Sequence, residues 1–428
     1  MKKKLVVLSV DSLFDEDMEL LKTLPNFGRL IQRGCVVRGG MRSVYPSDTY
    51  PAHASLITGT WPDRHGIYHN QPLDVGNLDP DWFWYRRDMK TETLLDAAHR
   101  AGYSTACVSW PCMGGDPSVD WLVPEIWPKD PNEDPRPIFR TACSANLLGP
   151  GGILERHWHK LRGTQKPFMD HMMIGCACDI IRRYKPDVML IHLAYLDGTR
   201  HLHGVHGPAV RQAVYANDDW FGRLEEATMD AGVYENTNFA VISDHGHLNV
   251  RRIFHPNVLL AEAGLISLDE NGQVVGWRAY CHSAGLSCQV FLRETSDRGT
   301  RAVLEDLLYA MRENEAWGVE SVLTKAEVRR EHRLDGPFDY VLEGKGGTAF
   351  GSEWTGPALT SSGETPGASH GHLPYKGPQP VWIAAGPGFK PGEMVSRRRI
   401  IDVAPTFAAL LGITLAEAEG TAMTELLK

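Results

Sequence analysis

The chain has 428 residues, 43% of them hydrophobic and 23% charged, and a formal net charge of −9. It is long enough to bury a large core, and the length alone permits two or three domains. An acidic balance without a basic block excludes gripping a nucleic-acid polymer, which depends on Lys and Arg neutralising phosphates. No run reaches the roughly 18 apolar residues of a membrane span, so neither a membrane nor a polymer is an expected partner.

The opening MKKKLVVLSVD carries the basic residues of an export signal. Its apolar stretch is too short for one, so residues 5–10 read as a first β-strand and the expected location is cytoplasmic. Next comes VYPSDTYPAHASLITG, where Pro51 ahead of AHASLI marks a helix start and sets Thr49 at its N-terminus. The aromatic run Trp82, Phe83, Trp84, Tyr85, like Trp110, reads as hairpin or core packing. ETLLDAAHRAG (92–102) has helical spacing with a glycine stop, and STACVSW (104–110) reads as a strand.

Residues 113–165, rich in Pro, Trp and Gly, form a long excursion over the sheet. The stretch MMIGCACDII reads as helix, with Cys176 and Cys178 packed in the core. All eight cysteines are expected as free thiols. VMLIHLAYL (188–196) and FAVIS (239–243) are strand-like, and residues 209–232 between them read as a helix. Residues 255–365 hold strand-like pieces, including CQVFLRE and a hairpin expected at FDYVLEGKGGTAFGSEW, and read as a small α+β cap. The chain closes with the strand-like VWIAAG (381–386) and a helix in IDVAPTFAALLGI that starts from Asp402 or Pro405.

Apolar runs without polar alternation, separated by amphipathic helices, predict an α/β fold with a mostly parallel central sheet between helices. The catalytic core is expected over residues 1–254 and 366–428, with the cap inserted between.

Three of the runs end in aspartate, at Asp11, Asp197 and Asp244. The carboxyl ends of parallel strands form the ligand edge, so three carboxylates would converge there, and divalent cations relieve their repulsion. His201 follows Asp197 by four residues, His245 adjoins Asp244, and His370 lies in the Gly-rich GASHGHLP; all three are assigned to metal. His53, His65, His69, His203, His206, His247, His282 and His372 are assigned to packing or solvent. Asp and His donors without thiolate favour zinc, with manganese as the second choice. From the residues alone, Thr49 is equally a helix cap or a nucleophile.

The ordered set LSVD, YPSDTYPAHASLITGTWPDRHGIYHN, DGTRHLHGVHGP, ISDHGH, SHGHLP and DVAPTFAALLGI resembles the alkaline phosphatase superfamily. Within it, the chain is most similar to the nucleotide pyrophosphatase/phosphodiesterase family. The resemblance implies two divalent ions, one held by Asp11, Thr49, Asp244 and His245 and the other by Asp197, His201 and His370. It further implies Thr49 as covalent nucleophile, Asn70 holding a phosphoryl oxygen and Tyr50 stacking on a nucleobase. The implied substrates are small phosphodiesters or nucleotides. Phosphonate hydrolase, phosphomonoesterase, phosphomutase, sulfatase and a non-catalytic metal binder stand as rival readings. One departure is Ala52, where relatives usually have asparagine. No cation lies close to Thr49 in sequence, which favours singly charged diesters over monoesters.

Overall fold

The apolar runs become the centre of an eight-stranded sheet. Its strands in chain order are β1 (Lys4–Val10), β2 (Cys35–Arg42), β3 (Thr105–Val108), β4 (Trp121–Val123), β5 (Val188–Leu193), β6 (Thr237–Ile242), β7 (Trp382–Ala385) and β8 (Met394–Arg399). The structure is a computed structural model that describes residues 2–130, 132–161, 166–361 and 367–428. Residue 131 and residues 162–165 of the expected excursion, and residues 362–365 of the expected cap, lie outside the described residues.

Across the sheet the strands run β8-β2-β7-β6-β1-β5-β3-β4. All neighbours are parallel except β7, which is antiparallel to both β2 and β6. The mostly parallel sheet is as expected, and VWIAAG is its exception. β3, β5 and β6 are buried along their whole length, as is β1 beyond its first residue, because helices cover both faces. Those helices include α1 (Thr49–Thr58), α2 (Phe168–Tyr184), α3 (Tyr195–His203), α4 (Pro208–Asp230) and α5 (Val403–Leu411). Asp402 stands at the N-cap position of α5 without a side-chain cap bond, its carboxylate accepting from Arg399 and Thr421 instead. The cysteines are all free, and Cys176 and Cys178 are buried on α2. No described helix is long and apolar enough to cross a membrane.

The 113–165 stretch is more than loop: it contributes edge strand β4 and the short helices Arg136–Arg140 and Ile153–His157. Residues 254–354 supply a second hydrophobic cluster around a four-stranded antiparallel sheet that includes Ser287–Leu292 and Tyr340–Gly344. The hairpin expected at 338–354 does not form. Tyr340–Gly344 pairs with Ser287–Leu292 and Val319–Thr324, whereas Thr348–Phe350 pairs in parallel with Arg252–Phe254. Gly347, at φ 84°, turns the chain away from its own strand.

Candidate metal and phosphoryl-transfer site

β6, β1 and β5 are adjacent, and the loops at their carboxyl ends carry Asp244, Asp11 and Asp197 to one edge. β5 ends at Leu193, so Asp197 sits in the first turn of α3 and not on the strand end that the apolar run implied. That places His201 one turn along the same helix.

The expected ligands separate into two groups, Asp11 with Asp244 and His245, and Asp197 with His201, His247 and His370. In the first, His245 Nε2 stands 3.4 Å from Asp11 Oδ1, 3.3 Å from Asp244 Oδ2 and 3.2 Å from Thr49 Oγ1. In the second, the Nε2 atoms of His201 and His370 lie 3.2 and 3.7 Å from Asp197 Oδ1. Asp11 Oδ1, Asp197 Oδ1 and Asp244 Oδ2 are buried without a hydrogen-bond partner in the protein. Orphaned buried carboxylate oxygens cost free energy unless a cation meets them, so the donor set fits divalent ions. Burial, then Asp244 and Asp197, push the Asp11 carboxyl well above its ordinary range. Burial alone would also raise Asp197, but His201 and Lys166 hold it well below.

Thr49 is the first residue of α1, not its cap: Asp48 is the N-cap, accepting the Thr49 N–H at 3.2 Å. The same Asp48 oxygen accepts from Asn70 Nδ2 at 2.7 Å and lies 3.0 Å from His370 Nδ1. Asn70 Oδ1 accepts the Tyr50 N–H at 2.8 Å, so the amide is locked with one of its two N–H bonds still free. Pro51, in the first turn, has no N–H to leave unsatisfied.

His370 hangs on a loop gripped by the 284–287 turn: its carbonyl accepts from Leu286 N, and Ser287 Oγ donates to Gly371 O. Gly371 has φ 87°, and a Cβ there would fall 1.6 Å from Ala284 O, so only glycine fits beside the ligand.

A cavity of about 220 Å³ opens beside Thr49, Asp11 and Asp197, walled by Trp82, Trp127, Met169 and Met173. Tyr50 is fully buried with its ring 5.2 Å from Trp82, so it offers no open face to the cavity, which Trp82 and Trp127 line instead. Trp82 packs against the core as its run predicts and lines the cavity as well, while Trp84 and Trp110 are buried in the core. Lys166 also lines the cavity, 3.5 Å from Asp197 Oδ2, which overturns the expectation of a site without a nearby cation. It reaches the site from far along the chain, beyond any spacing argument.

Of the histidines assigned to packing or solvent, His53, His65, His69, His282 and His372 are buried and His203 and His206 exposed. His247 departs from that assignment and faces Asp197 with its Nε2 at 3.4 Å. Its signal was the HGH repeat, which also occurs at 370–372, where His372 turns toward its neighbour's carbonyl. Sequence reasoning also passed over His192, whose Nε2 lies 3.1 Å from Asp11 Oδ2 and Nδ1 3.3 Å from Glu125. It is buried in β5, where nothing but the fold marks it.

A mostly parallel sheet with paired Asp/His clusters at its carboxyl edge, a hydroxyl at a helix start between them, and an inserted antiparallel cap defines an alkaline phosphatase-like protein. Murine ectonucleotide pyrophosphatase/phosphodiesterase 5 shares the fold, with a TM-score of 0.69 over 100% of both chains at 17% identity. Residues 5–372 match the type I phosphodiesterase / nucleotide pyrophosphatase family, and the chain belongs to it. Ectonucleotide pyrophosphatase/phosphodiesterase family member 3 of Mus musculus is 24% identical over 254 residues, 56% of this chain and 24% of its own length. Venom phosphodiesterase of Naja atra is 22% identical over 250 residues, 56% of this chain and 26% of its own. The chain thus spans about a quarter of the length of these relatives. A further structure of the murine family member 5 is an inactive variant in complex with AMP.

Proposed function

We propose that the protein hydrolyses phosphodiester or pyrophosphate bonds of small, nucleotide-like substrates through a phospho-threonine intermediate. The observation that carries this reading is Thr49 Oγ1 at a helix N-terminus, 3.2 Å from His245 Nε2 and beside two clusters whose carboxylates, Asp11, Asp244 and Asp197, each keep one buried oxygen without a hydrogen-bond partner. Asp11, Asp244, His245 and Thr49 would hold one divalent ion, and Asp197, His201 and His370 a second, zinc being favoured by the donor types. Such ions, when bound, lower the pKa of a hydroxyl and neutralise charge on phosphoryl oxygens.

The residues then divide the work. Thr49 Oγ1 gives its proton to solvent water and attacks phosphorus, the bond to the leaving oxygen breaks in line, and the leaving group departs into solvent, taking up a proton there. Water then cleaves the threonine ester, returning Thr49. Asn70, locked by Asp48 and the Tyr50 amide, keeps one N–H for a non-bridging oxygen. The N-terminus of α1 adds its own positive end. Trp82 and Trp127 provide an apolar face for the second substituent of a diester, which a monoester lacks. Lys166 is held to Asp197, so its charge is partly spent before substrate arrives. The family match and the AMP bound to a structural relative favour this reading over phosphonate, monoester and mutase chemistry.

The test is kcat/KM for an aryl phosphodiester against the matching aryl monoester at one pH with added zinc. A preference for the diester is expected. A clear monoester preference overturns the substrate assignment.

A further inference from the structure

The second cluster holds one donor more than the three residues that the resemblance supplies. The Nε2 atoms of His201, His247 and His370 lie 3.2, 3.4 and 3.7 Å from one atom, Asp197 Oδ1. Two donors bound tetrahedrally to one zinc ion at its usual bond lengths stand about 3.3 Å apart, so all three separations match co-ligands of a single ion.

The rings agree with this spacing. The three imidazole centroids are 4.7, 5.0 and 5.1 Å apart, with interplanar angles of 76°, 63° and 76°. They stand like three blades around a common point. His245 is the contrast, stacking flat on His370 at 3.9 Å with its Nε2 turned to the other cluster.

Two of the three rings are hydrogen-bonded at the far nitrogen, and the third lies against a carboxylate. His201 Nδ1 donates to Ala368 O at 2.9 Å, His370 Nδ1 lies 3.0 Å from Asp48, and His247 Nδ1 lies 2.6 Å from Ser12 Oγ. An acceptor at Nδ1 fixes the tautomer that leaves Nε2 as a lone pair, the arrangement that orients metal-binding histidines. His247 is completely buried, and its Nε2 has no hydrogen-bond partner in the protein. Ser12 sits at φ 65° directly after Asp11, and its N–H donates to Asp244 at 3.2 Å. The loop that supplies the first cluster thus also orients His247.

We infer that His247 is a fourth protein ligand of the Asp197 centre, a third imidazole held in its binding tautomer by Ser12. This rests on the proposal that the clusters hold metal ions. Lys166 occupies Asp197 Oδ2 and leaves Oδ1 as that residue's inward donor, so the set is one carboxylate oxygen and three imidazoles. Four protein donors would hold such an ion more firmly than three.

The experiment loads wild type, His247→Ala and Ser12→Ala with Co2+ and with Zn2+. It reads affinity by competition with a chelator, and coordination by the visible Co2+ absorption. Wild type binds two equivalents of either metal; in His247→Ala one equivalent binds unchanged and the other at least about tenfold more weakly, with a shifted Co2+ band, and free imidazole restores both readings. Ser12→Ala keeps every donor and loses less. Equal affinities, or a weaker affinity with an unmoved band and no imidazole effect, overturn the proposal, the second result leaving His247 only to orient Asp197. Failure of wild type to bind either ion sinks the underlying metal reading instead. Should His247→Ala fail to fold, His247→Gln is measured against the same outcomes.

Discussion

At the scale of single residues, the reaction hangs on one hydroxyl. Thr49→Ala removes the attacking atom but none of the Asp48, Asn70 and Tyr50 backbone contacts that shape the start of α1. The expected outcome is a folded protein whose kcat falls by about three orders of magnitude or more, checked by steady-state kinetics beside circular dichroism. Turnover near wild type would reduce Thr49 to a helix residue. The convergence of Asp11, Asp197, His201, Asp244, His245 and His370 was legible because each carries ligand chemistry beside a strand-like run or a Gly-rich turn. Tyr50 was misread because motif position says nothing of burial, and here Trp82 lies over its ring. Lys166, Trp127 and Glu125 were invisible because they arrive from irregular segments with no periodicity to place them.

At the scale of elements, the cap strand Tyr340–Gly344 is tied to the core through Glu343. That carboxylate accepts from Tyr45 Oη and from Leu373 N, both at 3.0 Å, three residues beyond His370. Burial, opposed by Lys376, raises Glu343 from 4.5 to about 7. A carboxyl raised on folding binds its proton more tightly in the folded state. Its contribution is therefore full below about pH 4.5 and lost as pH rises through about 7. Ionising it costs on the order of 3 kcal/mol. Glu343→Gln should accordingly gain stability over wild type at pH 8 and lose that advantage toward pH 5, read from urea unfolding at both values. A difference independent of pH would count against a titrating Glu343. The hairpin misread next to this strand has a related cause. Two strand-like runs around a Gly-rich turn look paired locally, yet each found a better partner elsewhere in the sheets.

For the whole molecule, the two clusters join side chains from Asp11 to His370. Any ion that binds only the folded arrangement stabilises it, by about 4 kcal/mol when present at a thousand times its dissociation constant. Chelation should lower the melting temperature and zinc should restore it, as followed by scanning calorimetry. A melting temperature indifferent to chelator would argue that the clusters are structural without metal. The α/β architecture was legible because buried parallel strands read as unbroken apolar runs. The reversed direction of β7 was not, since a buried antiparallel strand has the same look.

β7 lies between β2 and β6, and β8 lies on the other side of β2. A chain made from its N-terminus therefore completes β2 at residue 42 but must wait for residues 382–399 before either neighbour exists. While β6, β1, β5, β3 and β4 can already assemble, β2 emerges from the ribosome unpaired, with Cys35, Val36, Val37 and Met41 still uncovered, the kind of exposed surface that chaperones cover. Ribosome-stalled chains ending before residue 381 should keep residues 35–42 open to protease, and chains that include β8 should protect them. Birth order thus leaves one of the earliest strands among the last to be seated.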